Sequence, residues 1–109
     1  MTDCIFCKIA NGEIPTDFVY ENENVVVFRD IAPKAPTHLL VVPKTHVVSL
    51  GELEDEKIAL ELFRAIKEVT KKLNITDFRT VANTGAGAGQ EVFHLHIHIL
   101  ANKKLGDIC

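Results

Sequence analysis

His94-Leu95-His96-Ile97-His98-Ile99-Leu100 is the most informative stretch of this 109-residue chain. Side chains alternate across a strand, so Leu95, Ile97 and Ile99 share one face, toward a core, and the three histidines share the other. The chain has five histidines, and three of them stand on one face of one strand. An ordinary solvent face mixes Lys, Thr and Glu rather than repeating imidazole. A three-histidine metal site fits poorly. Residues two apart on a strand are ~6.6 Å apart and the outer pair ~13 Å, whereas zinc needs nitrogens converging at ~2.0–2.1 Å. The row suits work along a substrate, with one imidazole attacking while its neighbours bind charge and move protons. An unperturbed pKa of ~6.5 lets a neutral nucleophile and a protonated donor coexist near pH 7. Close imidazoles also resist being charged together, which pushes their titrations apart.

Just upstream lies Asn83-Thr84-Gly85-Ala86-Gly87-Ala88-Gly89-Gln90-Glu91. It is not a Walker A loop, because no Gly-Lys-Ser/Thr follows, and a strand rather than a helix comes next, which spoils a dinucleotide fingerprint. Its glycines allow backbone N–H groups to turn toward an anion. Alone, such a stretch is simply a loop. Ahead of three aligned histidines it reads as a phosphate cradle, with the nucleophile over a phosphorus atom.

The rest of the chain reads as an α+β domain spanning residues 1–109. Residues 4–10 form a short helix closed by Asn11-Gly12; Phe18 to Tyr20 and Val25 to Phe28 are strands joined by Glu21-Asn22-Glu23-Asn24. His38 to Val42, Phe78 to Ala82 and Val92 to Leu100 complete five strands. The clear helix runs from about Asp55 to Leu73: Ile58, Leu62, Ile66, Val69 and Leu73 recur at helical spacing, Phe63 and Ala59 widen the stripe, and Asn74 ends it. Too few helices separate the strands for a parallel doubly wound sheet, so the expected sheet is mainly antiparallel.

Hydrophobic residues at 47% and charged residues at 25% exclude a disordered chain. A net charge of −3 supplies no basic stripe, so nucleic acid is not an expected partner. No apolar run approaches the ~18–20 residues that span a bilayer, so no membrane is expected either. The start, Met1-Thr2-Asp3-Cys4-Ile5-Phe6-Cys7-Lys8, lacks the charged-then-apolar pattern of a secretory signal, and a cytoplasmic protein is expected. Three cysteines fit that: an odd count cannot form a full disulfide set, Cys4 and Cys7 stand at metal or redox spacing, and Cys109 is terminal with no role assigned.

The sequence resembles the histidine-triad nucleotide-binding family along nearly its whole length. Residues 94–100 meet the pattern His-apolar-His-apolar-His-apolar-apolar in full. Cys4-Ile5-Phe6-Cys7-Lys8-Ile9 with Gly12-Glu13-Ile14-Pro15 looks like the family's N-terminal segment, Phe28-Arg29-Asp30-Ile31 like its nucleoside-binding segment, and Ala35 to His46 like its central strand. Within the family it is most similar to the small dimeric branch that hydrolyses purine nucleoside 5′-phosphoramidates. The resemblance implies that His96 attacks the α-phosphorus and becomes nucleotidylated, that His98 contacts the phosphate and assists the leaving group's proton, and that His38 orients the site. It implies Asn83, Gly89, Gln90 and His98 around the phosphate, Asp30 on the ribose hydroxyls, and Phe28 and Ile31 along the base pocket. It also implies a homodimer joined through the long helix and the fourth strand. Dinucleoside polyphosphate hydrolysis, or nucleotide binding with vestigial catalysis, uses the same residues.

Two departures bear on the leaving group. Glu91 stands where some relatives carry a serine, and a carboxylate there adds negative charge beside the phosphate. The tail from Ala101 to Cys109 lacks the aromatic found in some relatives. Plainer roles exist for other residues: Asp30 can end a strand, His38 can be a surface histidine, and Phe28 a core aromatic. Cys4 and Cys7 need two more ligands to hold zinc. His46 has no catalytic assignment and His94 is the triad member least needed for chemistry. Relatives with two cysteines and two histidines resemble this set, so a structural zinc at Cys4, Cys7, His46 and His94 is expected, the alternative being two reduced, buried thiols.

Overall fold

The computed structural model describes residues 4–106, so Met1 to Asp3 and the terminal Cys109 lie outside the described residues. The chain forms α1 (Ile5–Ala10), β1 (Phe18–Glu21), β2 (Val25–Arg29), β3 (Thr37–Pro43), α2 (Glu56–Lys72), β4 (Phe78–Val81) and β5 (Ile97–Ala101), with single 3₁₀ turns at Leu50–Glu52 and Ala86–Ala88. All strand pairs are antiparallel in one five-stranded sheet of order β1-β2-β3-β5-β4. The α+β reading and the five strands therefore stand. Among the described residues no helix is long and apolar enough to cross a membrane.

Both faces of the sheet are covered. Val25, Val27, Leu39, Val41, Ile97 and Ile99 pack with Leu95 against Ile58, Leu62, Ala65, Ile66 and Val69 of α2. The opposite face buries Val26, Phe28, Leu40 and Val42 under Phe6 and Ile9 of α1. This explains why β3 is buried at every position and why its sequence is an unbroken apolar run after Thr37-His38. The helix α2 begins where Asp55 Oδ1 accepts the N–H groups of Lys57 and Ile58 at 2.9 and 3.3 Å, an N-cap satisfying two orphan donors. It stops at Asn74, whose φ of 55° is left-handed. Phe63 does not widen the buried stripe: it is 68% exposed, beside Leu60, on the side turned from the sheet.

β1 carries an irregularity between Phe18 and Tyr20, and Lys72 Nζ donates to the Val19 carbonyl beside it at 2.7 Å. β5 begins at Ile97, not at Val92. The register that pairs Val41 with Ile97 would set Leu95 opposite Pro43. Proline has no N–H to offer, and the Pro43 carbonyl is taken by the ring of His94 at 2.8 Å, so the ladder ends there. The Leu95 N–H goes instead to the Val47 carbonyl at 2.6 Å. The alternation of faces survives the loss of the ladder, since Leu95 still packs with Ile97 and Ile99.

Candidate active site and metal-binding cluster

The histidine row lies on the α1 face of the sheet, along a cleft of about 650 Å³. His38, His96 and His98 line it together with Asp30, Phe28 and the exposed Ile31. Asn83, Gly89 and Glu91 also line it. Phe6, in α1, sets its ring edge-on to His94 and His96 at 6.0 and 5.1 Å between centroids and also walls the cleft. Phe6 had no place in the sequence reading, although its position between two ligand-spaced cysteines on a short helix puts it on the same side of the sheet.

Hydrogen bonds to fixed backbone groups assign a tautomer to each imidazole. His96 Nδ1 lies 2.8 Å from the His94 carbonyl, which can only accept. The proton is therefore on Nδ1, and Nε2 is the lone-pair nitrogen. The Lys34 N–H donates to His38 Nδ1 at 2.9 Å, so His38 carries its proton on Nε2 and donates it in a hydrogen bond to His98 Nδ1 at 2.8 Å. His98 in turn keeps its proton on Nε2. Asp30 Oδ2 stands 3.4 Å from the same His38 nitrogen, and its Oδ1 accepts the Ala32 N–H at 2.8 Å. Neighbouring rings thus present opposite characters, His96 a nucleophilic nitrogen and His98 an N–H donor, with 5.0 Å between ring centroids.

Burial enforces neutrality. It lowers the pKa of His98 to about 4, with His96 and His38 adding repulsion and Asp30 opposing it. Burial also lowers that of His38, against the pull of Asp30. For His94 the same desolvation outweighs the bond to Pro43.

Gln90 is placed differently. Its side chain is buried behind the loop: Oε1 accepts the Gly85 N–H at 2.8 Å, and Nε2 donates to the Val48 and Val92 carbonyls at 2.7 and 3.1 Å. The loop's glycines do not point all their amides outward either. The N–H groups of Ala88 and Gln90 both bond the Gly85 carbonyl at 3.1 Å, and that of Gly89 bonds Ala86 at 3.0 Å. What glycine supplies is backbone shape, with φ of 89° at Gly85 and 99° at Gly89.

A second cluster lies at the other end of the row. Cys4, Cys7, His46 and His94 each offer one ligand atom, all within 4.8 Å of one another. Cys4 Sγ is 3.2 Å and Cys7 Sγ 3.5 Å from His94 Nδ1, and Cys7 Sγ is 3.3 Å from His46 Nδ1. Ligand atoms held tetrahedrally at ~2.0–2.3 Å from zinc stand ~3.3–3.8 Å apart, close to these three separations, so the cluster could hold an ion of that size. His94 presents Nδ1 as a lone pair because its Nε2–H is given to Pro43, the arrangement that outer partners impose on metal-bound histidines. Burial, and then the adjacent Cys4 thiol, raise the Cys7 pKa. A bound cation would reverse that sign by favouring the thiolate.

The alternation of His94, His96 and His98 with core aliphatics, and the ring-to-ring bond from His38 to His98, agree with the histidine-triad likeness of the sequence. The chain belongs to the histidine-triad family. The family described as "Scavenger mRNA decapping enzyme C-term binding" matches residues 3–109. Protein HitA of Neisseria gonorrhoeae is 50% identical over 103 residues, covering 92% of this chain and 96% of that protein. The structure of a histidine triad protein from Clostridium difficile superposes with a TM-score of 0.93 at 49% identity, covering 98% of this chain and 96% of the other. A HIT family hydrolase from Clostridium thermocellum gives 0.92 at 37% identity over the same shares.

The unfolded chain titrates its histidines near ~6.5, whereas the folded one holds His98 neutral down to about 4. Between those values the unfolded state binds more protons, so stability is fully present above about 6.5 and falls as the pH drops through the window. With a chelator present throughout, urea midpoints should be flat from pH 8 to 7 and decline toward pH 4.5. His98→Gln should make the decline shallower; an equal slope in both would contradict the assignment.

Proposed function

We propose that the protein hydrolyses purine nucleoside 5′-phosphoramidates through a nucleotide covalently held on His96. One observation carries this reading: the His94 carbonyl holds the proton of His96 on Nδ1 and so leaves Nε2 free to attack. The nucleoside lies against Phe28 and Ile31 with Asp30 toward the ribose, and the phosphate lies between the histidines and Asn83, Gly89 and Glu91. His96 Nε2 bonds to the α-phosphorus as the P–N bond of the substrate breaks. The departing amine needs a proton that a neutral His98 cannot lose without regaining one. The phosphate provides the means, because its negative charge raises the His98 pKa toward neutrality when substrate binds. His98 then takes a proton from solvent and passes it from Nε2 to the amine. Water attacks next and His98 accepts its proton, the P–N bond to His96 breaks, nucleoside monophosphate leaves, and His98 returns its extra proton to solvent, so that both imidazoles end neutral. Dividing one displacement into two lowers each barrier, and positioning around the phosphoryl group supplies the rest.

Support comes from the family membership, from a structural relative described as a hydrolase, and from opposite tautomers on adjacent rings. His96→Ala should lower turnover of an adenosine 5′-phosphoramidate by at least ~10³-fold while adenosine monophosphate still binds. Brief reaction and mass mapping should find the adduct on His96. Wild-type protein that turns over a dinucleoside polyphosphate faster than the phosphoramidate would shift the substrate assignment, and turnover surviving in the variant would remove the covalent mechanism.

The Cys4, Cys7, His46 and His94 cluster is proposed to hold a structural zinc, joining α1 to the segment after β3 and to the lead-in of β5. Purified protein should contain about one zinc per chain. Cys4→Ser with Cys7→Ser should lose it and melt at lower temperature, whereas metal-free wild type of unchanged melting temperature would refute a structural role.

A homodimer is proposed through the exposed Leu60 and Phe63 of α2 and Phe78 of β4. Equilibrium sedimentation at micromolar concentration should give twice the chain mass, and Phe63→Glu should give the single mass. A wild-type monomer would dismiss the dimer.

A further inference from the structure

Gln90 stands at the centre of the glycine-rich loop yet its side chain does not face the cleft. Only 4% of the residue is exposed, and no other side chain in the loop from Asn83 to Glu91 is buried so deeply. Its contacts run to three separate pieces of backbone. The residue meets Gly85 twice: its N–H donates to the Gly85 carbonyl at 3.1 Å, and its Oε1 accepts the Gly85 N–H at 2.8 Å. That double link closes residues 85–90 into a ring with a 3₁₀ turn inside it. Both hydrogens of Nε2 are then spent outside the ring, on the Val48 carbonyl at 2.7 Å and the Val92 carbonyl at 3.1 Å. Val48 follows β3 and Val92 leads toward β5, so the carboxamide ties the loop to the two chain segments flanking the histidine row.

The near neighbours of the ring are the ones that line the cleft. Asn83 packs over Gly89, where an added Cβ would meet its side-chain Cγ at 3.9 Å, and Glu91 directly follows Gln90. Gly85 and Gly89 hold left-handed φ values that other residues adopt only with strain, so without the clamp this flexible stretch has many alternatives. A buried carboxamide with both of its amide hydrogens and its oxygen engaged by backbone carbonyls and an N–H has one orientation.

We propose that Gln90 is a positioning residue: from behind the loop it fixes where Asn83, Gly89 and Glu91 meet the phosphoryl group, and it touches no substrate itself. The inference rests on the nucleotidyl-hydrolase reading of the cleft for its consequence, though not for its geometry. It accounts for a polar residue buried beside a site where a free carboxamide would otherwise be expected to face the ligand.

The test compares wild type with Gln90→Ala and with Gln90→Met, which retains length without hydrogen bonds. In ligand-free protein, hydrogen–deuterium exchange of residues 83–92 should quicken by ~10-fold in both variants, with exchange in α2 unchanged. Adenosine monophosphate should bind ~10-fold more weakly, adenosine itself equally well, and kcat on the phosphoramidate should fall more than KM rises. Three results would overturn the proposal. Loop exchange unchanged in the ligand-free variants, with weaker monophosphate binding, makes Gln90 a direct phosphate ligand. Unchanged exchange and unchanged binding make it a bystander. Loosening of α2 to the same degree in Gln90→Met makes it a general core residue. Wild type that neither binds the monophosphate nor turns over the phosphoramidate would defeat the hydrolase reading instead, leaving the clamp to be judged on exchange alone.

Discussion

The chemistry of the cleft depends on one hydrogen bond, from His96 Nδ1 to the carbonyl of His94 two residues earlier at 2.8 Å. A carbonyl cannot change its role, so the ring's other nitrogen has its character set by the backbone. The Lys34 N–H does the same for His38 from the opposite direction, and His98 inherits its tautomer through His38. His94, His96 and His38 are thus each oriented by a main-chain group, and His98 by His38. Burial then keeps His38 and His98 uncharged, so these roles hold at neutral pH.

His94 connects the two clusters. Its ring faces the cysteines with Nδ1 and the Pro43 carbonyl with Nε2, while its own carbonyl holds the ring of His96. The cysteine–histidine cluster and the cleft therefore share a backbone unit at the point where the β3–β5 ladder has ended. An ion there would brace a stretch that the sheet does not hold.

Much of this arrangement was legible in the chain. The α2 stripe, its start near Asp55 and its Asn74 stop are local signals, and the alternation at 94–99 separates core from site by period alone. Phe63 was misread because periodicity reports a helical face but not which neighbour covers its margin. The start of β5 was misread because propensity at 92–96 is that of a strand, whereas the pairing partner fails at Pro43, in another part of the sequence. The convergence of Cys4, Cys7, His46 and His94 was inferred from residue types and likeness, while the hydrogen bonds that set tautomers involve backbone atoms and leave no trace in composition. For the same reason Gln90, a polar residue in a glycine-rich loop, gave no sign that it turns inward.

The two margins of the sheet are unequal. At β1 the irregularity after Phe18 breaks the row of backbone groups, and the Lys72 ammonium occupies the Val19 carbonyl. β4 is a regular short strand paired only with β5 among the described residues. A sheet closed on one side and open on the other can add a neighbour in one direction only. Any strand added to the described sheet would therefore lie against β4 and not against β1.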